Sequence, residues 1–325
     1  MHLALRIARR LGGFVISLLG ASLLIFFFTN ALPGDVAQVL LGTDATPEAV
    51  ARLRTQLGLD RPLPVQYLSW LGGILVGDFG HSHLNGMSVL ALLTPRIAVT
   101  LWLVLFGLIG SILIAVPAGM VAALKRRTWP GFTISAAAQL GMAVPVFWGG
   151  ILLVLVFAVW LHWLPANGYV ALTRNPGQWV AHLVLPVLTL ALVQAAVLIR
   201  YVRSAFIEVL NEDYYRTARS IGWTPMRALF RHGVRNAAIS LVTIIGLQLS
   251  TVLVGAIVVE SVFTLPGLGS LLLTAVNQRD LLVVQGTVMF LVLAVLVISA
   301  LVDLSYLLID PRQATAAAAD GAEAT

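Results

Sequence analysis

The sequence contains no cysteine and few charged side chains. Charged residues make up 10% of its 325 residues, and lysine occurs once, at Lys125, whereas an average soluble domain has roughly 25% charged residues. Without cysteine, neither a disulfide framework nor a thiolate metal site can form. A P-loop needs a Gly-Lys-Ser/Thr ending, and the residue before this lysine is Leu124. The chain therefore lacks this means of hydrolysing nucleotides.

Hydrophobic residues make up 59% of the sequence. This share indicates a membrane protein, because a surface that faces lipid is as apolar as a protein core. A membrane-spanning helix needs about 20 mostly apolar residues. The charge-free stretches that reach or approach this length are 11–34, 97–124, 128–173, 175–199, 236–259, 261–278 and 281–302.

The distribution of arginine decides how often the stretch 128–173 crosses the membrane. Lys and Arg are enriched in short cytoplasmic loops. A single crossing places seven downstream arginines in the cytoplasm, and a double crossing places all seven outside. They are Arg200, Arg203, Arg216, Arg219, Arg227, Arg231 and Arg235. We therefore predict a single crossing, six spans and both termini in the cytoplasm, which puts 14 of the 20 basic residues inside. This topology explains the basic charge without a nucleic-acid partner.

The predicted fold is that of an all-α, polytopic membrane protein. Its segments are a cytoplasmic N-terminus (1–10), span one (11–32), an extracytoplasmic helical insertion (33–96), span two (97–124), span three (132–163), span four (179–200), a cytoplasmic loop (201–236), span five (237–259), an outer re-entrant or surface helix (260–280), span six (281–308) and a disordered tail (309–325). Within the insertion, Thr46 and Pro47 predict the start of a helix and Gly58 its end.

The cytoplasmic loop has the local chemistry of a helix, a stop and a second helix. Asn211 or Asp213 suits the cap of the first helix. Gly222 suits the left-handed residue that ends it. Thr224 and Pro225 then begin the second helix, which leads into span five. We therefore expect a stiff connection between this loop and the membrane-spanning bundle.

Small residues mark the end of the first loop helix. Ala218 lies four residues before Gly222, so we expect both on one side, where another protein can approach closely. Thr217, Ala218 and Gly222 resemble the end of the Glu-Ala-Ala-x-x-x-Gly motif in permeases of binding-protein-dependent ABC importers. The string Asp-Tyr-x-Arg-Thr-Ala-Arg-x-x-Gly at 213–222 is similar to the dipeptide, oligopeptide and nickel branch. Arg216 and Thr217 replace the first Glu-Ala of the general motif, as they do in this branch.

The resemblance covers the chain except for about its last dozen residues. Further matching strings are Leu-Pro-Gly-Asp at 32–35, Leu-Gly-Leu-Asp-Arg-Pro at 57–62, Gly-Asp-Phe-Gly at 77–80, Phe-Arg-His at 230–232, Arg-Asn-Ala at 235–237, Val-Phe-Thr-Leu-Pro-Gly-Leu-Gly at 262–269, Asn-Gln-Arg-Asp at 277–280 and Asp-Pro-Arg at 310–312. The order of these strings resembles their order in the family's permease that has a large insertion after its first span.

The resemblance implies a type I ABC importer permease fold in the cell inner membrane. It implies a non-catalytic subunit that forms half of the pathway for dipeptides or oligopeptides. The implied partners are a second related permease, two ABC ATPase subunits or domains, an extracytoplasmic substrate-binding (lipo)protein, the peptide and the lipid bilayer. No cofactor is implied for this chain, because ATP binds to the partner subunits.

The loop helix is implied to dock on an ATPase subunit, whose closure then moves the attached spans. The residues implied in this coupling are Asp213, Tyr214, Arg216, Thr217, Ala218, Arg219, Gly222, Pro225, Arg231 and His232. From the residues themselves, Glu260, Pro266 and Gly267 are candidates for the translocation path or its gate. Glu260 equally suits a cap of the outer helix, and an acid within a membrane is costly unless it is paired or hydrated.

Several other interpretations of these residues stay open. The main alternative is a self-sufficient secondary transporter or channel, in which Asp303 near the inner end of span six would relay protons. A purely structural scaffold predicts no transport defect from loop mutations. A helix-turn-helix DNA reader would explain the arginines around Gly222, although the loop is tethered between spans. His81 and His83 form a His-x-His pair, which is a weak metal site without a third ligand.

Overall fold

The computed structural model describes residues 2–31, 36–42 and 45–309, and most of them are helical. In chain order the helices are α1 (His2–Ala31), α2 (Val36–Leu41), α3 (Pro47–Leu57), α4 (Leu63–Leu75), α5 (Val89–Leu124), α6 (Trp129–Ala143), α7 (Val146–Leu153), α8 (Pro176–Asn211), α9 (Asp213–Ser220), α10 (Pro225–Ala228), α11 (Val234–Val262), α12 (Leu268–Gln278) and α13 (Leu281–Ile309). No strand forms in the described ranges, which hold one isolated bridge between His81 and Ser88. The predicted tail from residue 310 and the string at 32–35 lie outside them.

Five helical segments are long and apolar enough to cross a membrane. They are Leu11–Ala31, Val89–Leu124, Pro176–Asn211, Ile244–Val262 and Leu281–Leu301. The count rises to six if α6 and α7, with the π-helical turn Val154–Trp160 that follows, form one span. The predicted all-α, polytopic architecture is confirmed.

The bend between α6 and α7 differs from the uninterrupted span expected at 132–163. The two helix axes are bent by 106°. Val144 is extended, with φ −82° and ψ 118°, and Pro145 follows it. Proline lacks a backbone N–H and disfavours helical conformation in the residue before it. The helix therefore ends at Ala143 and restarts at Val146 in a new direction.

Helix α8 is longer than the span expected at 179–200. Its 36 residues extend about 54 Å at 1.5 Å per residue, well beyond a hydrocarbon core of about 30 Å. Asn175 caps its start, where the side-chain Oδ1 accepts a hydrogen bond from the Gln178 N–H at 3.1 Å. Residues 201–211, assigned from the sequence to the loop, are therefore a helical extension of this span.

The chain divides into two compact units, one formed by residues 1–99 and 266–297 and the other by 100–265 and 298–325. In the first unit, side chains join α4 and α13 to α1. The Tyr67 and Ser22 hydroxyls are 2.9 Å apart, and the Phe26 ring lies edge-to-face on Tyr67. Gln285 Nε2 donates to Thr29 Oγ1 at 2.8 Å. The end of the first span is thus bound to the insertion.

In the second unit, α8 is the central helix and packs against α6, α7 and α11. The part of α5 from residue 100 onward approaches α8 closely at glycines. A Cβ atom at Gly119 would lie 2.6 Å from Val202 Cγ1 and 3.1 Å from the Ile199 carbonyl oxygen. Only a residue without a side chain fits this contact.

We predict that Gly119→Ala destabilises the protein by about 1–3 kcal/mol, because overpacking forces neighbouring atoms to shift. Thermal unfolding of the purified protein in detergent measures the effect. Gly20→Ala is the matched control, since no atom lies within 4 Å of its added Cβ. Equal melting temperatures for Gly119→Ala and the wild type would contradict the close contact.

Candidate functional site

Helix α9 lies between the end of α8 and the start of α10. It begins after Glu212, whose backbone is extended (φ −71°, ψ 147°) and whose side chain makes no capping hydrogen bond. The caps expected from the sequence, Asn211 and Asp213, are therefore not used. Thr217 Oγ1 instead donates to the Asp213 carbonyl at 2.9 Å. The short turn at Glu212 lets α9 fold back onto the helix that precedes it.

Gly222 ends α9 in the left-handed conformation that its sequence predicts, with φ 91°. Its N–H donates to the Arg219 carbonyl at 3.1 Å, and the Trp223 N–H donates to the Ala218 carbonyl at 3.2 Å. These bonds satisfy the last carbonyl groups of the helix. An added Cβ at Gly222 would meet no atom within 4 Å, so the left-handed backbone, and not crowding, favours glycine here.

The inner face of α9 is buried against its own chain. Tyr215 and Ala218 are 8% and 4% exposed and belong to an apolar cluster with residues of α8, α10 and α11. Its members nearest in sequence are Phe206, Val209, Ala228, Leu229 and Leu241. This differs from the sequence interpretation, which placed Ala218 on a side free to meet another protein.

The outer face of α9 is polar and exposed. It carries Asp213, Arg216, Thr217, Arg219 and Ser220. Arg216 Nη1 lies 3.6 Å from Asp213 Oδ1, and both side chains are largely exposed. Exposed ion pairs contribute little to stability, roughly 0–1 kcal/mol. These charges are therefore available to a partner more than they are needed by the fold.

The tip of the loop carries exposed apolar side chains beside arginines. Ile221 is 68% exposed and Met226 is 42% exposed. The Arg227 guanidinium lies 5.0 Å from the Trp223 ring centre, and the Arg219 side chain donates to the Trp223 carbonyl. Large apolar side chains rimmed by polar ones are typical of protein-binding surfaces. We call residues 213–227, with this polar face and apolar tip, the loop surface.

The chain is continuously helical from Pro225 to the end of α11. Thr224 Oγ1 accepts from the Arg227 N–H at 3.4 Å to cap the start. A π-helical turn at Leu229–Gly233 joins α10 to α11, and its flanking residues have helical dihedral angles. The loop and α11 are therefore joined by an uninterrupted stretch of helical backbone. Tyr214 is half-buried and Arg231 exposed, and the side chain of His232 lies outside the described residues.

The other candidates are distributed between the two units. In the second unit, Glu260 near the end of α11 is fully buried. Its carboxylate accepts a hydrogen bond from the Thr100 hydroxyl of α5, and its carbonyl accepts from the Leu265 N–H at 2.9 Å. In the first unit, Pro266 precedes Gly267, which is extended and forms the N-cap of α12. The outer helix expected at 260–280 therefore begins only at Leu268.

Within the described ranges, no third side chain joins His81 and His83 as a metal ligand. In the described part of the chain, no three His, Cys, Asp or Glu side chains are grouped to hold a metal ion. The backbone N–H of His83 donates to Asp280 Oδ1 at 3.3 Å, and the Ser82 hydroxyl also donates to this carboxylate. Burial lowers the pKa of the His83 imidazole, an effect that the nearby Asp280 charge opposes. These contacts join the end of the insertion to the start of α13.

Comparison with known families accounts for this arrangement. Residues 115–315 match the family described as "Binding-protein-dependent transport system inner membrane component". The chain belongs to this family. Residues 3–104 match the N-terminal family, "Binding-prot-dependent transport system membrane comp, N-term". This permease is thus a non-catalytic, multi-pass subunit of an ABC importer in the inner membrane, as its sequence predicts.

Known relatives match this permease over nearly its whole length. A glutathione transport system permease protein of Salmonella choleraesuis is 40% identical over 305 residues, which cover 94% of this chain and 97% of the relative. A "Probable peptide ABC transporter permease protein" of Sinorhizobium fredii is 36% identical over 306 residues, 94% and 98% of the two chains. A solved structure of the methionine ABC transporter MetNI, inward-facing, is similar in fold, with a TM-score of 0.55, 18% identity and coverage of 68% and 97%.

We predict that Ala218→Asp lowers the stability of the protein by roughly 3 kcal/mol, because it buries an unpaired carboxylate in the apolar cluster. Ser220→Asp adds the same carboxylate two residues away on the exposed face and serves as the control. Melting temperatures of both variants in detergent test this difference. An unchanged melting temperature for Ala218→Asp would place this residue on the outer face.

Proposed function

We propose that this permease forms half of the transmembrane pathway of an importer for dipeptides or oligopeptides. The support comes from relatives whose names specify peptide and glutathione transport and which align with 94% of this chain. Glutathione is itself a tripeptide, so the two names share a chemical class. Nickel and other small solutes, which the sequence resemblance also allows, are the alternative substrates.

The proposed complex has five kinds of component. Besides this permease, it contains a second related permease, two ABC ATPase subunits or domains, an extracytoplasmic substrate-binding (lipo)protein and the peptide. The membership of this chain in a binding-protein-dependent transport family supports a separate binding protein. ATP binds to the partner subunits, because Lys125, the only lysine, does not complete a P-loop.

The loop surface is the proposed contact with an ATPase subunit. Its exposed polar face provides Asp213, Arg216, Thr217 and Arg219, and its tip provides the apolar side chain of Ile221. The remaining residues of the proposed coupling set have other places. Tyr214 and Ala218 pack toward the cluster, Gly222 and Pro225 shape the backbone, and Arg231 and His232 lie on the π-helical turn.

We propose that force on α9 reaches the spans by two routes. One is the apolar cluster, in which Tyr215 and Ala218 pack on α8 and on the start of α11. The other is the continuous helix that begins at Pro225. Because well-packed interiors are hardly compressible, closure of the ATPases moves α8 and α11 together. Peptide then passes between this permease and its partner permease.

The proposed orientation places both termini and the loop surface in the cytoplasm. The concentration of basic residues at Lys125–Arg127 and along 200–235 supports it. In this orientation Glu260 lies at the outer end of α11. A fully buried carboxylate is costly in a membrane and is typical of substrate paths and gates. We therefore propose that Glu260 belongs to the path or its gate. We propose the same role, separately, for Pro266 and Gly267.

One experiment tests the docking role and also separates this function from that of a self-sufficient transporter or channel. We predict that Ile221→Asp, which places a charge at the apolar tip, lowers retention of the ATPase subunits during purification at least tenfold. ATP-driven uptake of a labelled dipeptide into proteoliposomes should fall equally. The variant should fold normally, since Ile221 is exposed.

Arg126→Glu is the control, because it changes charge in another exposed turn of the second unit, outside the loop surface. It should leave both measurements close to wild type. Uptake of the dipeptide by this chain alone, without ATPase subunits, would contradict the proposed function. Full uptake and full subunit retention by Ile221→Asp would contradict the docking role of the tip.

A further inference from the structure

The first unit contains an open cavity of about 280 Å³. Its walls come from the end of α1, the turn after α3, one face of α4, the loop 78–83 and the start of α13. Both apolar and polar side chains line it. Those that the following argument uses are Phe26, Arg61, Trp70, Asp78, His83 and Gln285.

The cavity lies where membrane spans end. Phe26 and Asn30 belong to the last turns of the span Leu11–Ala31, and Leu281 and Gln285 belong to the first turns of the span Leu281–Leu301. The opposite wall is α4, whose Trp70 packs near Phe26 at 6.0 Å between ring centres. Tryptophan is enriched at the boundary between lipid and water. A ligand in this cavity would therefore meet both the bilayer surface and the aqueous phase.

The charged side chains that line the cavity have opposite signs. Arg61 is exposed, and no carboxylate of a described residue forms an ion pair with it. Asp78 is also exposed, and its Oδ1 accepts from the Gly80 N–H at 2.8 Å. Burial lowers the pKa of the His83 imidazole, against the opposing effect of the Asp280 charge. The lining thus offers one cation and one anion.

A buried donor without an acceptor lies in the same wall. Trp70 Nε1 is buried and finds no hydrogen-bond partner among the described residues. An unsatisfied buried donor costs about 1–3 kcal/mol. The neighbouring amides are already engaged, since Gln66 Nε2 donates to the Arg61 carbonyl at 2.7 Å and Gln285 Nε2 donates to Thr29. The charged groups that remain exposed in the lining are therefore the Arg61 guanidinium and the Asp78 carboxylate.

We propose that this cavity binds a zwitterionic group, with its anionic end on the Arg61 guanidinium and its ammonium on the Asp78 carboxylate. Two sources carry this chemistry at a size that suits about 280 Å³. One is the phosphoethanolamine head group of a bilayer lipid, and the other is a free amino acid or dipeptide. The site is separate from the loop surface, and its test does not depend on transport.

The first arm of the experiment tests the lipid. The full chain is reconstituted in nanodiscs that contain phosphatidylethanolamine and phosphatidylcholine in equal amounts, extracted in mild detergent and analysed by native mass spectrometry. We expect the wild type to retain phosphatidylethanolamine at least tenfold over phosphatidylcholine, whose quaternary ammonium cannot donate a hydrogen bond. Arg61→Gln and Asp78→Asn should lose this preference.

The second arm tests the free ligand. Equilibrium binding of labelled glycylglycine is measured in nanodiscs of phosphatidylcholine alone, with N-acetylglycylglycine amide as the uncharged competitor. Saturable binding that the competitor leaves unchanged, and that Arg61→Gln and Asp78→Asn abolish, assigns the site to free zwitterions. Selective lipid retention in the first arm assigns it to the head group.

Arg52→Gln is the control in both arms, because Arg52 lies exposed on α3 outside the cavity. It should behave as the wild type. The proposal is overturned if the wild type shows neither lipid preference nor glycylglycine binding. It is also overturned if Arg52→Gln has the same effect as the cavity variants. The comparison of ligands on the wild type decides the matter even if a cavity variant does not fold.

Discussion

Helix α9 has eight residues, too few for a helix to be stable alone in water. It forms because Tyr215 and Ala218 pack into the apolar cluster of α8, α10 and α11. The rest of the proposed mechanism depends on this packing, since a loop that only hung between spans could dock on a partner without moving them. Burial of one face also fixes which face remains outside. The charges at Asp213 and Arg216 and the apolar tip at Ile221 are exposed because their neighbours are buried.

The helices within the membrane also depend on contacts with the surrounding protein. Backbone groups in lipid need partners within the protein, so a break in a helix is tolerated only where protein or a hydrated cavity surrounds it. The helical backbone is broken at Val144 and Pro145 and again before α12. The buried Glu260 side chain also has a partner within the protein, because the Thr100 hydroxyl donates a hydrogen bond to its carboxylate. Glycines such as Gly119 let α5 approach α8 without a space between them. In the proposed mechanism, close packing in this unit transmits a small movement of the loop.

Much of this architecture could be predicted from the sequence, because its signals are local. Charge-free length predicted the spans, Thr46 and Gly58 predicted the ends of α3, and Gly222 predicted the left-handed end of α9. The features that could not be predicted depend on tertiary contacts. The burial of Ala218 follows from the direction in which α9 folds back at Glu212, and sequence spacing does not encode that direction. Pro145 is itself a local signal for the bend. The number of spans was predicted from charge alone, so this signal was not used. The cavity between α1, α4 and α13 joins residues more than 200 positions apart, such as Arg61 and Gln285, and no motif marks it.

The central claim is that the exposed face of α9 lies in the cytoplasm and is covered there by an ATPase subunit. The absence of native cysteine allows a direct test, in which Ser220→Cys is labelled with a membrane-impermeant maleimide. We predict labelling in inside-out vesicles, none in intact cells, and protection of the cysteine when the ATPase subunits are bound. Labelling from the outside of intact cells, or equal labelling with and without the ATPase subunits, would contradict the account.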